Sequence, residues 1–223
     1  MNDILSGANN FVESYNPKAD PAWLIDKLGE TYGVTQTTLK KWTTGGPIQA
    51  PLDALDNLQK RKPFQADQVK QVTVRVATSA GYTVNNRDMP DICLQHLVAV
   101  MLIDKTVSFR AAHDKARMQD PAVLRERAKV QLVPDEELER LIPVRVAIVE
   151  VTLADGTQLR ERVDHVRGTP ENPMTTVEVV AKAHELMTPI LGPTACSKLI
   201  EQVLGLQDIE DIRELRLLLQ KQF

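Results

Sequence analysis

Cysteine is scarce in this chain: there are two, Cys93 and Cys196, far apart. Neither belongs to a Cys-x-x-Cys pair or has a histidine spaced for a shared metal, so no disulfide framework and no metal site is expected, only two reduced thiols. Long apolar runs are absent too. None reaches the roughly 18 residues needed to span a bilayer. The opening MNDILSGANNF lacks the basic and apolar regions of a signal peptide. A cytoplasmic protein without membrane contact is therefore expected. The formal net charge is -3 and no Lys/Arg tract stands out, which argues against nucleic acid as a partner. There is no Gly-x-Ser-x-Gly, no His-Glu-x-x-His and no dinucleotide fingerprint, and no internal repeat or low-complexity segment.

What remains is an ordinary globular composition, 43% hydrophobic and 26% charged over 223 residues, enough for one large domain or two small ones. Asp20-Pro21 is a helix start, and the spacing predicts a helix over Ala22–Glu30. One or two helical turns are expected over Thr37–Trp42. The TTGGP stretch then breaks any helix, and Gln49–Lys60 resumes one with Leu52, Leu55 and Leu58 on one face. Gln71–Ala77 alternates like a half-buried strand. GYTVNNRDMP reads as a loop before an apolar helix, PDICLQHLVAVML. Asp120-Pro121 starts another helix, to about Ala128, and Lys129–Val133 reads as a short strand. From Pro143 to Val166, two alternating runs flank Asp155-Gly156, a strong hairpin signal. Thr175 and Glu178 have capping-box spacing for a helix over Val177–Met187 that Pro189 ends. Helices over Thr194–Leu204 and Asp208–Gln220 follow. The fold class is α+β, with a mixed α/β part inserted between helical ends.

Two places carry candidate chemistry. His96 lies at the centre of the apolar helix, where desolvation favours a neutral imidazole able to take or give a proton. The alternative is a hydrogen-bonded core histidine. In LKKWTTGGPIQAPLDAL, a Gly-Gly turn and the free N–H groups of the helix after it can hold a carboxylate, with a lysine as counter-charge. The alternative there is a surface lysine pair before an ordinary loop. His113, His165 and His184 read as solvated or structural.

Several stretches together resemble one family. KKWTTGGPIQAPLDAL, QVTVRVAT, VNNRDMPDICLQHLVAVML, DPAVLRERAKVQLVPDEEL and VEVTLADGTQLRERVDHVRGTPENPMT resemble, in that order, the C-terminal half of MmgE/PrpD proteins. That family includes 2-methylcitrate dehydratase, cis-aconitate decarboxylase and iminodisuccinate epimerase. The most specific parts are G-x-P-x-N-P at Gly168–Pro173, after the hairpin, and Asn-Arg-x-x-Pro at Asn86–Pro90. The resemblance implies a helical segment over residues 1–61, an α+β lid over 62–166, and helices returning to the helical domain over 167–223. It implies that His96 stands where many members carry a catalytic tyrosine. It implies Lys41 as the catalytic and carboxylate-binding cation, with Gln49 and Gly46 at the substrate. Gln49 departs from the histidine common at its position, and an amide cannot serve as a base.

The implied chemistry is cofactor-independent proton abstraction beside a carboxylate of a small di- or tricarboxylate, with no metal. The implied outcome is dehydration, decarboxylation or epimerisation by a lyase or isomerase. Members are about double this length, so an N-terminal-half polypeptide is an expected partner, and a homodimer is expected. Two other readings stand beside this one: an inactive remnant, and a small-acid-binding or interaction module that uses the Lys41 turn.

Overall fold

The computed structural model describes residues 10–16, 18 and 20–220. Two compact units divide the chain, one up to Thr37 and one from Thr38 onward.

In the first unit, a short helix α1 (Phe11–Tyr15) is capped by the Asn10 side chain. Asp20 caps the next turn as expected, by accepting from the Ala22 amide. That turn is a 3-10 helix of four residues, Pro21–Leu24, rather than a helix reaching Glu30. Among residues 10–37, none whose side chain is described is buried. Short helices draw their stability from packing, and the apolar side chains here, Trp23 and Leu28 among them, lie exposed.

The second unit is built on a four-stranded mixed sheet. Its strands are β1 (Val69–Ala77), β2 (Val130–Asp135), β3 (Ala147–Leu153) and β4 (Gln158–Val163), in the order β2-β1-β3-β4. β1 runs parallel to β2 and antiparallel to β3, while β3 and β4 form the hairpin over Asp155-Gly156. Val74 pairs with Val149, and Val72 with Val151. This register puts the valines of both strands on one face. Thr73, Arg75, Glu150 and Thr152 point to the other face and are only half buried.

Helices cover the apolar side. α2 (Gln49–Arg61) lies against β3 and β4 and brings Leu52, Leu55 and Leu58 into the core. α3 (Thr78–Val84) is helical where a loop was expected from Gly81; it packs on β2. α4 (Leu94–Asp104), entered through a 3-10 turn at Pro90–Ile92, is buried from Leu94 to Leu102 and touches α2 and β2. The small helices α5 (Phe109–His113), α6 (Pro121–Arg127) and α7 (Glu136–Glu139) follow. α6 packs on α4, and its Asp120 cap forms as expected.

The C-terminal part is a helical hairpin of α8 (Thr176–Leu191) and α9 (Pro193–Leu204), then 3-10 turns and a short α10 (Leu215–Leu218). The Thr175/Glu178 capping box forms. α8 runs through Pro189 and ends at Gly192. Asp208–Gln220 does not form one helix. Its apolar residues Ile212, Leu217 and Leu219 are exposed, so no buried face holds a longer helix together.

Candidate functional site

Gln49 shapes the loop that carries Lys41. Its side-chain carbonyl accepts from the Trp42 amide at 3.1 Å. Its side-chain NH2 donates to Trp42 O at 2.8 Å and to Thr44 Oγ1 at 3.0 Å. The amide is buried and both of its ends are spent on Trp42–Thr44. Gly45 N–H donates to Asp91 O at 2.9 Å, tying the turn to the entry of α4. Gly46 opens the 3-10 turn that leads into α2, and the Arg145 guanidinium lies along it. A Cβ on Gly46 would stand 3.3 Å from Arg145 Cζ, so glycine leaves room for that side chain.

Lys41 emerges from this clamp. Its ammonium lies 4.3 Å from the Trp42 ring centroid and 2.7 Å from Asp56 Oδ2. Lys60 reaches the same oxygen at 2.8 Å. Burial works against the Asp56 charge, but the hydrogen bonds from Lys41 and Lys60 outweigh it and hold the carboxyl below its usual range. One helical turn away, Asp53 accepts from Trp42 Nε1 at 2.8 Å and from the Arg167 amide at 2.7 Å. Here burial prevails over both hydrogen bonds and over Lys41, and the Asp53 carboxyl is raised.

The G-x-P-x-N-P loop closes the far wall. Gly168 has φ +98°, and its carbonyl accepts from Leu39 N–H at 2.9 Å. A Cβ there would lie 1.8 Å from Leu39 O, so only glycine permits the approach. Asn172 takes Arg167 Nη1 at 2.8 Å and donates to His165 O at 3.0 Å. Arg167 also grips Glu178 through Nε and Nη2. That hydrogen bond, followed by one from the Thr175 amide, lowers the Glu178 carboxyl to about 2. The result is a cavity of about 510 Å³ beside Lys41, lined also by Asp53, Asp56, Lys60, His165 and Arg167.

His96 has other surroundings. Its ring is wholly inaccessible, and neither nitrogen has a hydrogen-bond partner among the described residues. Burial first, then the charges of Arg127 and Arg117, lower it to about 4, so it is neutral at pH 7. The charges acting on it are those of Arg127, Arg117 and Asp114, not Lys41. Lys41 lines the 510 Å³ cavity and a second one of about 290 Å³; His96 lines neither. Gln49, at the start of α2, thus holds the loop that carries Lys41 and leads to Gly46, while His96 lines neither cavity there. Among the described residues no group of three or more His, Cys, Asp or Glu is placed to hold a metal ion, and no helix is long and apolar enough to cross a membrane.

Residues 42–207 match the MmgE/PrpD C-terminal domain. The chain belongs to the MmgE/PrpD family. No curated protein sequence matches it. The MmgE/PrpD domain covers α2, the whole sheet, α4 with His96, and the G-x-P-x-N-P loop, and it starts one residue after Lys41.

Sequence reasoning left out Asp53, Asp56, Lys60, Arg167 and Arg145. Asp53, Asp56 and Lys60 had a signal: they recur at three and four residues along one side of α2. Arg167 had none, because it meets Asp53 across 114 residues of sequence. His165, read as solvated or structural, is exposed and lines the Lys41 cavity.

Proposed function

We propose that this chain is the C-terminal portion of a cofactor-independent MmgE/PrpD lyase or isomerase acting on a small di- or tricarboxylate. In this reading Lys41 binds a substrate carboxylate and steadies the enolate-like charge that forms when the neighbouring carbon loses its proton. The neutral His96 imidazole moves that proton. Gln49 serves the site by fixing the Lys41 loop, and Gly46 by admitting Arg145 beside the turn. The observation that carries the reading is the family match together with a buried imidazole whose two nitrogens have no partner.

In this reading residues of an MmgE/PrpD N-terminal half, the counterpart of the matched C-terminal domain, complete the site. Support comes from His96, which is sealed from solvent and lines neither cavity at Lys41. Catalysis requires reacting groups held together around one substrate. The exposed apolar side chains of α8 and α10, such as Val177 and Leu217, offer surface for that half or for a second copy in a homodimer. The same reading places the protein in the cytoplasm, where its free thiols Cys93 and Cys196 stay reduced.

The test is solvent deuterium exchange into a panel of small di- and tricarboxylates, followed by NMR. The chain alone should give none. The chain co-expressed with an MmgE/PrpD N-terminal half should label the carbon beside a carboxylate, and His96→Leu should abolish the label. No exchange from the assembled pair would reject catalysis and leave a remnant. A second reading, a small-acid-binding module, is favoured by the Lys41 cavity, where the cations Lys41, Lys60, Arg162 and Arg167 line one space. Carboxylate binding by the lone chain that Lys41→Ala removes, with no exchange in any assembly, would select it.

A further inference from the structure

Among the described residues, no Lys or Arg that lines the cavity beside Lys41 is without a carboxylate. Its cations are Lys41, Lys60, Arg162 and Arg167, and each already meets a carboxylate. Lys41 and Lys60 share Asp56, Arg162 meets Asp164 at 2.7 Å, and Arg167 meets Glu178. A small carboxylate that enters finds neutralised charge, so binding requires one of these pairs to open.

The pairs differ in what opening them does. Arg167 is fixed by Asn172, and its partner Glu178 also caps α8; releasing it loosens a loop and a helix start together. Arg162 and Asp164 are 40% and 53% exposed. That pair opens easily, but a solvated, screened guanidinium offers a ligand little attraction. Lys41 is only 22% exposed and rests on the Trp42 ring, so its charge is the least hydrated. Its partner Asp56 has a second cation within reach. If Lys41 leaves, Lys60 remains on the same oxygen, and no buried carboxylate is left alone.

We propose that Asp56 is a specificity-determining gate on Lys41: an internal carboxylate that holds the ammonium in the free protein and yields it to a carboxylate of the ligand, while Lys60 retains Asp56. This rests on the reading of Lys41 as the carboxylate-binding group. Lys60 is 69% exposed, free to follow Asp56 as the pair separates. The gate penalises any ligand whose attraction for Lys41 does not exceed that of Asp56, and so favours small acids of high charge density.

The test is titration of the full chain with succinate, read from the Trp42 indole N–H resonance, because that indole lies under the Lys41 ammonium. Asp56→Asn should tighten binding by about fivefold or more, Lys60→Ala should weaken it about threefold, and Lys41→Ala should remove it. If Lys41→Ala removes binding but Asp56→Asn binds no tighter than the unmodified chain, the gate is wrong and the Lys41 site stands. If binding survives Lys41→Ala, or neither the unmodified chain nor Asp56→Asn binds, the Lys41 reading fails and takes the gate with it. Should Asp56→Asn not fold, Lys60→Ala alone decides, since its side chain is exposed; unchanged or tighter binding there overturns the gate.

Discussion

Gln95 and His96 are neighbours in α4 with opposite circumstances. The Gln95 amide is engaged at both ends: it accepts from Asn86 N–H at 2.9 Å and donates to Asn85 Oδ1 at 2.6 Å, fixing a turn in which Asn86 has φ +48°. The His96 ring has no such partner. Of the two polar residues in an apolar helix, one is thus a structural tie, and the other is held neutral at a cost to stability. That cost sets a pH dependence. The folded-state value of about 4 lies below the ordinary 6.5. The His96 contribution is therefore intact above pH 6.5 and is lost as pH falls toward 4, with roughly 2–3 kcal/mol gone at pH 4.5. Urea unfolding at pH 7.5 and pH 4.5 checks this. The unmodified chain should lose roughly 2–3 kcal/mol more between the two than His96→Leu, since carboxylate effects are common to both. Equal losses would mean that the ring is hydrated in the folded state. The residue scale is where the sequence was half legible. Apolar neighbours on α4 foretell the burial of His96, but the pairing of Lys41 with Asp56 depends on a loop conformation that the clamp at Gln49 creates.

Elements whose local signals agree with their packing were legible. The Asp155-Gly156 hairpin, α2 and the Thr175/Glu178 box have both pattern and partner. Signals fail where packing is missing or overrides them. Ala22–Glu30 and Asp208–Gln220 have helical patterns but bury nothing in this structure, and they break into turns. Pro189 sits inside α8, where a proline was expected to end it. The capping box is the easiest element-scale feature to probe. Thr175→Ala removes the acceptor for the Glu178 amide, and should lower stability by about 1 kcal/mol. Hydrogen exchange should show the loss concentrated in the first turn of α8; uniform change would point to a defect elsewhere. The Gly168 loop is a stricter case. Gly168→Ala combines a left-handed backbone with a Cβ driven into Leu39 O, and the strand of chain leading to Lys41 must move. An expected loss of about 2–4 kcal/mol appears as a fall in Tm of roughly 5 °C or more. A Tm within a degree of the unmodified chain would show that the loop relaxes freely.

On the scale of the whole molecule, the α+β class followed from order alone: helical patterns at both ends and alternating strands between them. The grouping of elements did not. α2 reads as the end of a leading helical segment, yet its leucines lie in the core with the valines of β1 and β3. Amphipathic periodicity says that a helix has an apolar face, not which surface will receive it. The division near Thr37 follows from the same kind of accounting. Residues from Thr38 onward contain every buried side chain in the described structure. The described residues before Thr38 supply no core, and burial of apolar area dominates folding stability. Removing residues 1–37 should therefore leave a chain that unfolds in urea with a midpoint and slope close to those of the full chain, with stability changed by no more than about 0.5 kcal/mol. The slope is the informative number, because it scales with the surface exposed on unfolding. A midpoint that falls by more than this, or a clearly smaller slope, would mean that the first unit folds as part of the same cooperative structure as the sheet.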